Sequence, residues 1–240
     1  MLELRDLTFK VEENGKEKVI IDHLNYSIDD NKLTVITGPN GGGKSTLAKL
    51  IAGIEKPTEG KIIYNGQDIT DMSISDRANL GISYAFQQPV RFKGIKVIDL
   101  LRLSAGEKLS VSGVCDCLSE VGLCARDYIN RDVDASLSGG ELKRIEIASV
   151  LARKTPLSVF DEPEAGIDLW SFHNLIKVFE KMQSKKENTI IIISHQERIL
   201  KTADEIVVLA NGKIRASGSR DEMLEEVLKG TGGCRFYTEQ

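Results

Sequence analysis

The run Gly38-Pro39-Asn40-Gly41-Gly42-Gly43-Lys44-Ser45-Thr46 carries the spacing G-x-x-x-x-G-K-[ST]. Glycines at this density let a backbone wrap closely around phosphate oxygens, and a helix starting at the lysine adds the favourable field of its N-terminus. Lys44 is placed to reach the β- and γ-phosphates of a nucleoside triphosphate, and the Ser45 hydroxyl to sit on Mg2+. The plainer alternative is a flexible glycine loop. Against it stands the context: Leu33-Thr34-Val35-Ile36-Thr37 reads as a short apolar strand before the loop, and Ser45 to Ala52 as a helix after it, ended by Gly53.

Further polar residues follow apolar runs, as site residues follow the strands of a parallel sheet. Asp161 ends the run from Leu157, where a Mg2+-holding carboxylate stands when it works with a loop hydroxyl and nucleotide phosphates. Glu162 beside it can polarise an attacking water. An Asp-Glu pair alone is more often a solvated strand end, and the upstream phosphate loop turns the balance. His195 follows the apolar run Thr189 to Ser194 and can face the same edge and contact the γ-phosphate, while His23 and His173 read as structural. Gln87 stands where a strand from Leu80 to Phe86 gives out before Pro89, which cannot continue a central strand. It is suited to sense metal or water and to relay nucleotide state onward.

A sheet is needed to bring these residues to one edge. Residues 2–11 alternate as a strand, Lys18 to Ile28 gives a second, and Glu13-Asn14-Gly15 is the turn between them. Lys61 to Tyr64 is a strand followed by the hairpin signal Asn65-Gly66. Ser73 to Ala78 is helix-capable. From Val97 to Val133 apolar residues recur at helical spacing (Ile98, Leu101, Leu103, then Val114, Leu118, Val121), which reads as a small helical subdomain without strands. Leu137-Ser138-Gly139-Gly140-Glu141 opens a helix to Arg153, with Ser138 as cap and Ile145, Ala148 and Leu151 on one face. The runs 157–162 and 189–194 read as buried parallel strands joined by a crossover helix from Leu169 to Met182. Glu205 to Gly218 holds two strands about Asn211-Gly212, and Asp221 to Lys229 a last helix. The predicted fold is α/β: a nucleotide-binding core with a mixed sheet, an N-terminal antiparallel β subdomain and an inserted small helical subdomain. It forms one domain over 1–240, with 1–86 and 156–240 as the core and 87–155 as the helical part.

Composition sets the outer bounds. With 41% hydrophobic and 28% charged residues, 240 residues can bury a real core. A net charge of −4 without a basic block argues against nucleic acid as a partner. No apolar run approaches the roughly 20 residues of a membrane span, and the N-terminus lacks a signal-peptide pattern, so a cytoplasmic location is expected. Cys115, Cys117, Cys124 and Cys234 are too few to staple this chain. The first three form a cluster whose spacing fits no standard zinc pattern, and Val114, Leu118 and Val121 make it read as a helix with buried thiols.

Taken in order, Gly38 to Ser45, Gln87, Leu137 to Glu141, Leu157 to Glu162, Glu164 to Asp168 and His195 resemble the motif set of the ATP-binding-cassette ATPases over nearly the whole chain. The resemblance implies a P-loop ATPase using ATP and Mg2+, in which two cassettes, alike or different, close head to tail in a transient dimer. It implies that Ser138, Gly139 and Gly140 bind the γ-phosphate held by the partner's loop, and that Asp168 joins the dimer contact. Within the family, the chain looks most like the ATPase subunit of the Suf iron–sulfur cluster assembly machinery. That likeness is carried by Val11, Gly81 to Val90, Lys93 to Val97 and His195 to Leu200, and it implies soluble scaffold partners. The alternative is the ATP-binding subunit of a membrane transporter, peripheral to the membrane, taking coupling helices in a groove beside Gln87. DNA-repair-type cassettes carry a long coiled-coil insertion, and 87–138 has no heptad run of that length. Two departures stand out: Val11, or Phe9 nearby, where an aromatic usually stacks on adenine, and Glu164-Ala165-Gly166 in the loop before Asp168.

Overall fold

The computed structural model describes residues 1–13, 15–106 and 109–230. Leu2–Glu13 (β1) and Lys16–Ile28 (β2) form an antiparallel ribbon; Asn14, at the centre of the expected turn, lies outside the described residues, as does Cys234. Leu33–Thr37 (β3) leads through the glycine loop to Lys44–Ala52 (α1), and Glu59–Tyr64 (β4) with Gln67–Asp68 (β5) completes the four-stranded antiparallel sheet β2-β1-β4-β5. Then follow Ile74–Asn79 (α2), Ile82–Ala85 (β6), Val97–Ala105 (α3), Val111–Glu120 (α4), Ala125–Tyr128 (α5) and Gly139–Arg153 (α6). Leu157–Asp161 (β7), Leu169–Lys185 (α7), Thr189–Ile193 (β8), Glu197–Leu200 (α8), Glu205–Ala210 (β9), Lys213–Ser219 (β10) and Arg220–Gly230 (α9) complete the chain. The second sheet has the order β10-β9-β3-β8-β7-β6, parallel throughout except for the β9-β10 hairpin.

Every residue of β3, β7 and β8 is buried, because the sheet is covered on both faces. The strand period divides their side chains between two apolar layers. Ile36, Val159, Ile191 and Ile193 meet α1 and the antiparallel sheet, while Val35, Phe160, Ile190 and Ile192 meet α6, α7 and the helical insert. Phe160 and Phe179 stand edge to face at 5.2 Å in the second layer.

The helical insert stands as expected with one addition, and the expectation for α6 needs correction. The stretch from Val97 to Val133 is not wholly helical. Its return runs extended beside the entry, with Val133 N–H donating to Ile95 O at 2.9 Å, Val97 N–H to Arg131 O at 3.0 Å and one β-bridge between Lys96 and Asp132. Once the chain has left the sheet, these backbone groups need partners and find them in each other. Helix α6 also departs from a single apolar face: Leu142, Ile145 and Ala148 are buried, but so are Lys143, Ile147 and Val150, while Leu151 is half-buried. It lies against α3 and α4 on one side and against β6 on the other, so two stripes are covered.

Candidate functional site

Parallel register sets the site. Ile36 pairs with Ile193, and Ile193 with Asp161, so the glycine loop, Ser194-His195 and Asp161-Glu162 leave the same carboxyl edge of β3, β8 and β7. Only glycine fits the two ends of the loop: Gly38 has φ +138° and a Cβ there would stand 2.0 Å from Leu209 O, and Gly43 has φ +100° with Ile20 O at 2.9 Å. Among the described residues no side chain caps the N-terminus of α1, and its first N–H groups are the kind that an anion satisfies. Lys44 folds back over the loop and donates to Gly38 O and Pro39 O, both at 2.8 Å. Burial holds its ammonium below the usual lysine range, against the opposing pull of Glu162 and Asp161. Gly41 and Gly42 complete the turn around exposed Asn40, with Gly42 N–H donating to Pro39 O at 3.2 Å, and Thr46 lies half-buried in the first turn of α1.

Asp161 is 1% exposed, and both its oxygens are taken: Ser45 Oγ donates to Oδ1 at 2.9 Å and Tyr84 Oη to Oδ2 at 2.9 Å. Burial pushes this carboxyl up, the two hydroxyls pull it down and the Glu162 charge adds to the rise. One carboxylate and one hydroxyl suit Mg2+, a hard cation that takes its remaining ligands from phosphates and water. Among the described residues no group of three His, Cys, Asp or Glu side chains is placed to hold a metal. Beside it, Gln87 Nε2 donates to Glu162 Oε2 at 2.6 Å. Glu162 takes φ +42°, a left-handed backbone unusual for a residue other than glycine.

Ser138 is the N-cap of α6 in a reciprocal capping box: its Oγ accepts from Glu141 N–H at 3.3 Å, and its own N–H donates to Glu141 Oε2 at 2.7 Å. Its hydroxyl is therefore engaged within the chain. Gly139 is exposed at the helix start, and a Cβ on Gly140 would lie 3.0 Å from Gly166 O. That approach links the Ser138-Gly139-Gly140 turn to the loop ending at Asp168. Asp168 caps α7, accepting from Trp170 N–H and Ser171 N–H at 3.0 Å and from Ser171 Oγ at 2.6 Å. His195 is exposed at the strand edge, as are His23, which pairs with Asp6, and His173 on α7. Phe9 packs onto the apolar layer between α1 and the antiparallel sheet, leaving half-buried Val11 further along β1. Cys115 and Cys117 are half-buried on α4 and Cys124 is exposed, all as free thiols.

Three residues at the site escape sequence reasoning, and a fourth, Glu164, stood out only as a departure in the loop before Asp168. Tyr84 reads as an ordinary strand residue. Lys143, in Glu141-Leu142-Lys143-Arg144, reads as a solvated charge, yet it is fully buried with its Nζ on Phe86 O, on Gln87 O at 3.3 Å and on Asp161 O at 3.4 Å. Its ion-pair partner Glu146 lies at 3.5 Å and accepts from Phe86 N–H at 2.9 Å. Glu164 Oε1 accepts from Ser194 Oγ at 2.5 Å, while its buried Oε2 has no hydrogen-bond partner among the described residues.

A glycine loop between strand and helix, a carboxylate two strands away on the same edge and a capped Ser-Gly-Gly helix define a P-loop nucleoside triphosphatase. Residues 21–165 match the ABC transporter family. An uncharacterized ABC transporter ATP-binding protein of Methanocaldococcus jannaschii is 39% identical over 223 residues, covering 90% of this chain and 89% of its own length. A probable ATP-dependent transporter of Antithamnion sp. is 33% identical over 225 residues, 87% of this chain and 89% of that protein. A dimeric ATP-binding cassette in a post-hydrolysis state, bound to ADP and Pi, shares the fold with a TM-score of 0.82 over 92% of this chain and 99% of its own, at 22% identity. The chain belongs to the ABC transporter family: it is an ATP-binding-cassette ATPase that uses ATP and Mg2+. The nearer likeness to a Suf assembly ATPase gains no support from these relatives, whose names are those of transporter proteins.

Proposed function

We propose that this cassette is the ATP-binding subunit of a membrane transporter, working as one of two cassettes that close head to tail over two Mg-ATP molecules. The observation that carries the transporter reading is a groove of about 190 Å3 between the end of β6 and the helical insert. Its walls include Phe86, Val90, Phe92, Leu100 and Leu142, and the first three remain 37%, 43% and 37% exposed. An apolar notch of this size, one residue from Gln87, suits a short helix of a membrane subunit. The transporter names of the relatives support the same reading.

In this reading Lys44 and the loop amides from Gly38 to Gly43 neutralise phosphate charge, and Ser45, Asp161 and Gln87 hold the metal side of the site. Mg2+, when bound, screens the β- and γ-oxygens. Glu162 orients water for in-line attack, and His195 contacts the γ-phosphate. Ser138, Gly139 and Gly140 serve the nucleotide held by the other cassette, and Asp168 lies in the contact between the two. The Ser138 oxygen accepts from Glu141 N–H, a bond that does not use its proton, so the hydroxyl can keep its cap and donate to a phosphate oxygen of the other cassette's nucleotide.

A photocrosslinker at Val90, in the full-length protein in its native cells, tests the partner. Capture of an integral membrane protein with transporter topology is expected. Capture of soluble cluster-assembly scaffolds instead would overturn the transporter reading in favour of the Suf-like one.

A further inference from the structure

We infer that Tyr84 is a positioning residue of the metal site, and that its ring carries the state of the apolar groove to Asp161. The inference rests on reading Asp161 as the carboxylate on the metal side of the site. Tyr84 pairs with Val159 on β7, two residues before Asp161, so all three share one sheet face. Leaning along the strand, the phenol reaches Asp161 Oδ2 at 2.9 Å.

Its consequence follows from counting donors. Asp161 is shut from solvent, with Ser45 Oγ on Oδ1 and Tyr84 Oη on Oδ2. Without the phenol, a buried carboxylate oxygen has no donor and the carboxylate plane is held at one end only. The Ser45 hydroxyl spends its proton on Oδ1 and keeps its lone pairs for a cation, so the direction in which Ser45 offers them depends on how Asp161 is turned. Tyr84 fixes that turn, as outer hydrogen-bond partners fix the ligands of metal sites in general.

The other side of the same ring faces a different neighbourhood. Tyr84 and Phe86 meet edge to face, with centroids 4.8 Å apart at 81°, and both line the groove with Phe92 and Leu100. The Phe86 backbone is tethered to Glu146, so displacement there falls on its ring. A group entering the groove presses on a side chain whose far end holds Asp161. A phenylalanine at position 84 would fill the groove equally well, so the hydroxyl is the part that reaches the site.

The test compares Tyr84→Phe, Phe86→Ala and Asp161→Asn with wild type, using a fluorescent ADP analogue in EDTA and in Mg2+, with unfolding midpoints to confirm folding. Tyr84→Phe is expected to keep the metal-free affinity, to lose about tenfold of the tightening that Mg2+ gives, and to raise the Mg2+ midpoint of ATP hydrolysis by about tenfold with less than a threefold change at saturating Mg2+. Phe86→Ala is expected to shift the midpoint in the same direction by about two- to threefold. A wild-type Mg2+ response in Tyr84→Phe overturns the positioning role, and one in Phe86→Ala overturns the link to the groove. If Asp161→Asn keeps the full Mg2+ tightening, the reading of Asp161 itself fails, and that outcome is separate from either result at positions 84 and 86.

Discussion

Gln87 and Glu162 hold each other: the Gln87 amide donates to Glu162 Oε2 at 2.6 Å, joining positions 75 residues apart in sequence. Gln87 spends its amide nitrogen in this bond and keeps Oε1, the atom able to face a hard cation, while Glu162 Oε2 is an oxygen proposed to meet the attacking water. Glu162 makes this bond from a left-handed backbone, a conformation that costs about 1–3 kcal/mol and persists where surrounding contacts fix it. Its N–H donates to Ile193 O at 3.0 Å and its carbonyl accepts from Ala165 N–H at 3.0 Å, which supplies that fixation. Nucleotide can therefore be met by Gln87 Oε1 with the amide still on Glu162, and with the Glu162 backbone already set.

Replacing Glu162 by Gln keeps shape and removes the basic oxygen. Turnover is expected to fall by about 10^2- to 10^4-fold, the range of a lost general base, with ATP affinity nearly unchanged. Size-exclusion chromatography with ATP should then show an accumulated dimer. Wild-type turnover in Glu162→Gln would remove this residue from the water-activating role.

Lys44 gives its charge to two carbonyls of its own loop, a placement ready to be exchanged for phosphate oxygens. Lys44→Ala should weaken ATP binding by about 10- to 100-fold, the loss of one or two charge-assisted hydrogen bonds. Isothermal titration measures this directly. Unchanged affinity would mean that the loop is not the phosphate site.

Lys143 and Glu146 form a buried pair that ties α6 to the backbone of Phe86 and Gln87. Burial lowers the lysine and raises the carboxyl, each opposed by the other's charge. Lys143→Met should cost about 3–5 kcal/mol, because it leaves Glu146 buried without its counter-charge. Adding Glu146→Gln should restore part of this, with a coupling of about 0.5–3 kcal/mol in urea denaturation. Strictly additive costs would show that the two charges do not act as a pair.

What could be read from the sequence was local. The loop was legible because glycine spacing states the backbone it needs, and Asp161 and His195 because apolar runs end beside them. Tyr84 was not, since its bond to Asp161 depends on β6 lying next to β7, a neighbour relation between segments 77 residues apart. Lys143 left a signal that went unused: Lys143, Ile147 and Val150 recur at i, i+4 and i+7, a second buried stripe on a helix read as having one. The extended return beside residues 92–97 stayed hidden because its pairing is set by backbone groups, which leave no pattern in side-chain hydropathy.

Glu164, next to Glu162 and Ser194-His195, gives a pH dependence of opposite sign to that of a salt-bridged acid. Burial is the main cause of its raised pKa, only partly offset by the Ser194 hydroxyl. A carboxyl raised on folding adds stability that is fully present below its ordinary value of 4.5 and is lost as pH climbs through the folded value. Glu164→Gln keeps an oxygen to accept from Ser194 and never ionises. The variant should therefore match wild type below about pH 4.5 and become progressively the more stable of the two as pH rises to neutrality. Urea midpoints from pH 4 to 8 give the comparison. A gap that stays constant with pH, or that favours wild type at pH 7, would show that the buried carboxyl carries no such penalty.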